Sequence, residues 1–133
     1  MPARILIIED DPASLELVRY LLDSAGYATL TATDGGAGLA LALSAQPDLV
    51  ICDLQMPIMT GYEVVERLRG GSTWRRVPLV AVSAFSMPGD REAALTAGFD
   101  AYHSKPIAPE TFVQDIERLL PPAARTGGSS PAG

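Results

Sequence analysis

Leu49-Val50-Ile51-Cys52-Asp53-Leu54-Gln55-Met56-Pro57 is the stretch that decides how this chain is read. Its opening residues are apolar without alternation, and prolines at positions 47 and 57 bound the run. An apolar run that must be covered on both faces is the pattern of a buried strand in a parallel sheet. The run then stops on a carboxylate. In open α/β sheets ligands bind beyond the carboxyl ends of the strands, so Asp53 is a candidate reactive group. Turn chemistry alone also accounts for an Asp there, and the rest of the chain decides between the two readings.

The same pattern occurs near the start, where Ile5-Leu6-Ile7-Ile8 ends on Glu9, Asp10 and Asp11. Asp11-Pro12 combines an N-cap with a proline at the first helical position, which predicts a helix from about Ala13 to Ala25. Leu15, Val18, Leu22 and Ala25 share one face of it, and Gly26 supplies a left-handed stop. Ala28–Ala32 is a weaker strand, and Asp34 caps a helix to about Ala45 that carries Leu39, Leu41, Ala42 and Leu43. Gly35, Gly36 and Gly38 are expected to loosen its first turn. Thr60-Gly61-Tyr62-Glu63 is a capping box opening a helix through Val64, Val65 and Leu68, with a stop near Gly70-Gly71. Leu79–Val82 reads as a strand ending on Ser83, Asp90–Ala97 as a short helix and Ala101–His103 as a short strand. Pro109 opens a last helix with Phe112, Val113, Ile116, Leu119 and Leu120 on its apolar face, cut off by Pro121-Pro122.

Strand and helix thus alternate five times. That alternation predicts right-handed crossovers and a doubly wound α/β parallel sheet with helices on both faces, in the strand order 2-1-3-4-5. Its switch point lies between strands 1 and 3, which sets Asp10 and Asp53 across one crevice. Residues 1–122 are expected to form one domain. Residues 123–133 hold only Ala, Arg, Thr, Gly, Ser and Pro and read as a flexible tail.

Sixteen acidic residues against ten basic ones give a net charge of -6. A field of that sign repels phosphate backbones and anionic lipid, so neither nucleic acid nor a membrane is an expected partner. The single cysteine, Cys52, lies in the apolar strand, which rules out an internal disulfide and a cysteine metal site and suits a reducing cytoplasm. After Met1-Pro2-Ala3-Arg4 the apolar run is too short for a signal-peptide core or a membrane span.

Four strand ends deliver functional groups to one edge of the sheet: Glu9-Asp10-Asp11, Asp53, Ser83 and Lys105. Each alone is an ordinary cap or surface residue. Together the carboxylates repel one another unless a cation neutralises them. Paired acid oxygens suit Mg²⁺, which keeps waters and accepts phosphate oxygens, so an acid-rich pocket with one lysine and one hydroxyl points to phosphoryl transfer.

The segments ILIIEDDP (5–12), ICDLQMPIMTG (51–61), VAVSAFS (80–86) and YHSKPI (102–107) carry a resemblance. From Arg4 to Leu120 the chain resembles the receiver domain of two-component response regulators, a flavodoxin-like (βα)5 fold. The stretch from Ser83 to Ile107 is similar to single-domain regulators of the DivK type and to receivers attached to hybrid kinases. The resemblance implies that Asp53 is the phosphoacceptor. It implies Mg²⁺ held by Asp10, Asp53 and the backbone carbonyl of Gln55, with Glu9 acting through water. Lys105 is the implied lysine of the site, Ser83 the switch hydroxyl and Tyr102 the switch aromatic, and the Lys105–Pro106 bond is expected to be cis. Ser83 stands where Thr is commoner in the family, and Gln55 and Phe85 occupy positions that tune how long the phosphoryl group survives.

The implied protein is a phosphoaccepting signalling module that assists its own phosphorylation and dephosphorylation, not an enzyme with a metabolite substrate. Its implied partners are a histidine kinase and a downstream protein at the face formed by residues 90–120. The alternative is a relay intermediate or detached hybrid-kinase receiver that hands the phosphoryl group to a histidine phosphotransfer protein. A haloacid-dehalogenase-type phosphatase would want a second Asp where Gln55 stands, and a flavodoxin would need a phosphate-cradling first loop where three acids stand. His103, the lone histidine, is expected to be solvent-facing or hydrogen-bonded, not a phosphoryl relay. Trp74 is expected to pack over its own helix.

Overall fold

The computed structural model describes residues 3–70, 77–84 and 87–120. The expectations for Trp74, Phe85 and the 123–133 tail lie outside those residues. The elements follow as β1 (Arg4–Ile8), α1 (Pro12–Ser24), β2 (Ala28–Ala32), α2 (Gly35–Ala45), β3 (Leu49–Asp53), α3 (Gly61–Arg69), β4 (Leu79–Ser83), α4 (Asp90–Ala97), β5 (Ala101–Ser104) and α5 (Pro109–Leu119). The strands form one parallel sheet in the order β2-β1-β3-β4-β5, as predicted.

Burial follows position in that order. β3 and β4 are buried along their whole length, whereas β2 and β5, which carry the sheet edges, are mostly half-exposed. This explains why β3 reads as an unbroken apolar run and β2 does not. Alternate residues leave the sheet on opposite faces. Leu6, Ile8, Val50, Cys52, Leu79 and Ala81 pack with residues of α2, α3 and α4. Ile5, Ile7, Leu49, Ile51, Val80 and Val82 pack with Val18 and Leu22 of α1 and Phe112 and Ile116 of α5.

Caps are where the sequence predicted them. The Asp11 carboxylate accepts from Ser14 N at 3.0 Å, and α1 starts at Pro12, the first helical position the sequence assigns to it, with Ala25 as C-cap. Gly26 adopts φ 96, the left-handed stop. Thr60 and Glu63 satisfy each other's orphan groups at the start of α3, as the capping box requires.

The glycines of α2, expected to loosen its first turn, also let it come close. A Cβ on Gly38 would sit 2.6 Å from Ile8 Cδ1, and one on Gly35 would sit 2.8 Å from the Met59 carbonyl oxygen. The inward face of α2 is therefore Gly35, Gly38 and Ala42, while Leu43 is 56% exposed. His103 is half-buried, and its Nε2 is buried without a hydrogen-bond partner. Its ring stacks edge-on with Phe112 at 5.1 Å, and its Nε2 lies 3.0 Å from Asp115 Oδ2 without hydrogen-bond alignment. Burial, with the Arg91 charge, holds its pKa below the ordinary value.

Candidate functional site

The parallel register builds the site. Ile8 pairs with Cys52, so the residues that follow, Glu9 and Asp53, leave the sheet side by side. Both are buried, which is unusual for carboxylates and requires compensation. Glu9 Oε2 accepts from Asp11 N at 3.1 Å, and Asp53 Oδ1 accepts from Gln55 N at 3.2 Å. Lys105 reaches over from beyond β5, its Nζ 2.9 Å from Glu9 Oε1 and 3.6 Å from Asp53 Oδ2. It is the chain's sole lysine. The Lys105–Pro106 peptide is cis, as expected, and Lys105 N donates to Ser83 O at 2.8 Å.

One ammonium does not neutralise this pocket. Burial, a shared hydrogen bond with Glu9 and the Glu9 charge push Asp53 up to about 7, against the opposing pull of Lys105 and the Gln55 N–H. Burial acts to lower the Lys105 pKa, but the Glu9 hydrogen bond and the charges of Asp53, Glu9 and Asp11 outweigh it and hold the ammonium above its usual value. Cys52, beneath the acids, is pushed up by burial and then by the charges of Asp53 and Glu9, so it is an inert thiol.

Asp10 is exposed and completes the acid set: one oxygen each from Glu9, Asp10 and Asp53 lie within 4.8 Å of one another. Among the described residues no other cluster of potential ligands has this form. Two buried carboxylates and one exposed, with charge in excess of the lysine, fit a hard divalent cation that retains water, which is the character of Mg²⁺.

Behind Asp53 the packing leaves no slack. A Cβ on Gly61 would meet the Asp53 carbonyl oxygen at 2.5 Å, so the start of α3 touches the phosphoacceptor candidate's backbone only because position 61 is glycine. The connection also passes through Ile58, fully exposed at φ 70, a strained conformation for a β-branched residue.

Ser83, at the end of β4, is wholly buried, and its Oγ donates to Gln55 Oε1 at 2.7 Å. The sequence reading assigned Gln55 only its backbone carbonyl and a family position; the side-chain bond to Ser83 was missed, and no local signal encodes it. Tyr102, on β5, packs against the core on the α3–α4 side. It also lines a surface cleft of about 480 Å³ with Met87, Arg91, Glu92, His103 and Pro106. The structure thus brings Glu9, Asp10, Asp53, Gln55, Ser83 and Lys105 to one edge, with Tyr102 beside it. His103 belongs to the α5 side of the core.

A parallel sheet of this order, with acids at the ends of β1 and β3, a hydroxyl at the end of β4 and a lysine after β5, defines a class of signal-receiving domain. Residues 5–117 match the family described as response regulator receiver domain, and the chain belongs to that family. It is 38% identical over 120 residues to the polar-differentiation response regulator DivK of Brucella anthropi, covering 90% of this chain and 98% of that protein. DivK of Brucella ovis matches at 37% over the same length. Among solved structures, the chemotaxis response regulator CheY4 of Vibrio cholerae aligns with a TM-score of 0.84 at 32% identity, covering 90% of this chain and all of that one. The receiver domain of sensor histidine kinase PA1611 from Pseudomonas aeruginosa, described with a magnesium ion coordinated in its active site cleft, aligns at 0.82 and 29% identity, covering 90% and 98%. Among the described residues no helix is long and apolar enough to cross a membrane.

Proposed function

We propose that this chain accepts a phosphoryl group from the phosphohistidine of a histidine kinase onto Asp53, with Mg²⁺ as cofactor, and signals by binding another protein in the phosphorylated state. The observation that carries the reading is Asp53 itself: buried at a strand end, within 3.6 Å of Lys105 Nζ and grouped with Glu9 and Asp10. A metabolic enzyme needs turnover; here the aspartyl phosphate is the product that matters. The reading places the protein in the cytoplasm, where histidine kinases present their phosphohistidines.

In the transfer, an ionised Asp53 oxygen attacks phosphorus in line with the histidine nitrogen. The P–O bond forms as the P–N bond breaks, and the leaving imidazole keeps the electron pair and takes up a proton. Lys105 sits where it meets both Asp53 and the incoming negative charge. Asp10, Asp53 and the Gln55 carbonyl would hold Mg²⁺, with Glu9 acting through water. Bound there, the ion would supply positive charge to offset the carboxylates and the incoming phosphoryl group. Ser83 then donates its hydroxyl to the new phosphoryl oxygens, and Tyr102 moves into the space it leaves. That shift alters the face made by α4, β5 and α5, where the cleft beside Tyr102 lies, and a partner that prefers the altered face is recruited by its differential affinity. The likeness to the PA1611 receiver supports a second reading, onward transfer to a histidine phosphotransfer protein.

Intact-mass measurement after incubation with acetyl phosphate and Mg²⁺ tests the core of this reading. The wild type is expected to gain one hydroxylamine-sensitive phosphoryl group, and Asp53→Asn none. An undiminished adduct on Asp53→Asn overturns the assignment. For the output, Tyr102→Ala is expected to reduce the gain in partner affinity that beryllofluoride, a phosphoryl mimic, produces; an undiminished gain removes Tyr102 from the route.

A further inference from the structure

The Ser83 hydroxyl is not idle in the unphosphorylated protein. It lies in a wholly buried residue, and its proton is directed at Gln55 Oε1 over 2.7 Å, a short and well-formed bond. A hydroxyl has one proton to donate. Gln55 is also tied to the acceptor from its other end, since its backbone N–H donates to Asp53 Oδ1 at 3.2 Å. One residue therefore touches both the group that receives the phosphoryl and the hydroxyl that is to answer it.

We propose that Gln55 is a positioning residue that holds the Ser83 proton in the resting state, so that its amide oxygen and an Asp53-bound phosphoryl group compete for that proton. The inference rests on the phosphoacceptor reading above and deepens it by naming what opposes the switch. For Ser83 to donate to a phosphoryl oxygen its bond to Gln55 Oε1 must break, and the amide must find water instead. Gln55 is exposed, so water is at hand. The opposition is therefore modest and reversible, of the size of one net hydrogen bond. It acts on the equilibrium between resting and activated forms, because the amide oxygen stabilises only the resting one.

The backbone gives this competition a longer reach. Lys105 N donates to Ser83 O, and β4 pairs with β5 through Ser83 and Ser104. The resting position of Ser83 is thereby connected to the strand that carries Tyr102 and to the residue that carries the site's ammonium. A Gln55 that grips the hydroxyl holds this strand end in its resting arrangement.

The test is a double-mutant cycle read by the affinity for beryllofluoride in saturating Mg²⁺, on the full chain. Gln55→Met keeps the side-chain length and the backbone carbonyl but removes the amide oxygen. It is expected to tighten beryllofluoride binding about three- to tenfold, the factor corresponding to one net hydrogen bond lost from the resting form. In the Ser83→Ala background the same change is expected to have no effect, because no hydroxyl remains to be held. Unchanged or weaker binding by Gln55→Met overturns the proposal, and so does an equal tightening with and without the Ser83 hydroxyl, which would place the effect in access to the pocket. A wild type that binds no beryllofluoride overturns the phosphoacceptor reading, and this inference with it; the first two results leave that reading standing.

Discussion

The two edges of the sheet treat charge in opposite ways. At the amino edge two arginines, Arg4 and Arg69, are spent on carbonyls and carboxylates that need them. Arg4 N donates to Asp48 Oδ2 at 2.8 Å, Asp48 N returns to Arg4 O, and the Arg4 guanidinium donates to the Ala45 and Gln46 carbonyls at the end of α2. Arg69, at the end of α3, donates to Gly98 O and Val77 O and pairs with Asp100 at 2.7 Å, while Asp100 also accepts from Leu79 N. Cations at the carboxyl ends of helices are favourable in their own right. At the carboxyl edge, Glu9 and Asp53 meet Lys105, Asp10 joins their cluster, and negative charge is left over. The difference teaches what each edge is for: compensated charge holds the fold, and uncompensated charge waits for a cation and a phosphoryl group.

Breaking the amino edge should have the largest effect on stability. Arg69→Ala removes the donors to two carbonyls and to Asp100 together, and unpaired polar groups of this kind cost about 2–3 kcal/mol. Urea unfolding is the measurement; a midpoint unchanged from wild type would mean that the amino edge is dispensable. Phosphoryl acceptance by the folded fraction of this variant should persist, since none of these contacts reaches Asp53.

Next in size is the response of the carboxyl edge to Mg²⁺. Linkage gives about 1.4 kcal/mol of added stability at tenfold the dissociation constant. Asp10→Asn should weaken that response, and thermal unfolding with and without Mg²⁺ compares the two proteins. Equal shifts in both would remove Asp10 from the ligand set.

A third expectation concerns pH without metal. Asp53 is raised from 3.8 to about 7 in the folded chain, so the folded state binds its proton more tightly than the unfolded state does. The associated stability is complete below about pH 4 and is lost as pH rises through about 7, where the buried carboxylate ionises. Asp53→Asn, which never ionises, should therefore unfold later than wild type above neutrality, with the gain shrinking towards zero in acid. Paired denaturant curves across that range decide it: a gain independent of pH would mean that charge at Asp53 is not what strains the edge. No comparable gain is expected from neutralising Asp100, whose charge is already met by Arg69 and the Leu79 N–H.

Local interactions were legible in the sequence because their two partners are near neighbours in it. Asp11 with Ser14, and Thr60 with Glu63, lie within one helical turn, so residue type and spacing suffice to place the caps. Buried strands announce themselves by unbroken apolar runs, and β3 and β4 were read this way to their last residues. Once five such units alternate, the sheet order and the convergence of acids at the ends of β1 and β3 follow from topology. What the sequence by itself determined is therefore the fold, the caps and the edge at which the acids meet. Only the tertiary structure decided that Gln55 holds Ser83 across 28 positions, that Gly38 and Gly61 are demanded by Ile8 and the Asp53 carbonyl, and that the His103 ring stacks edge-on against Phe112. Each of these depends on how closely one element seats against another, and that distance is set by the joint packing of the core, a property of no single stretch of chain.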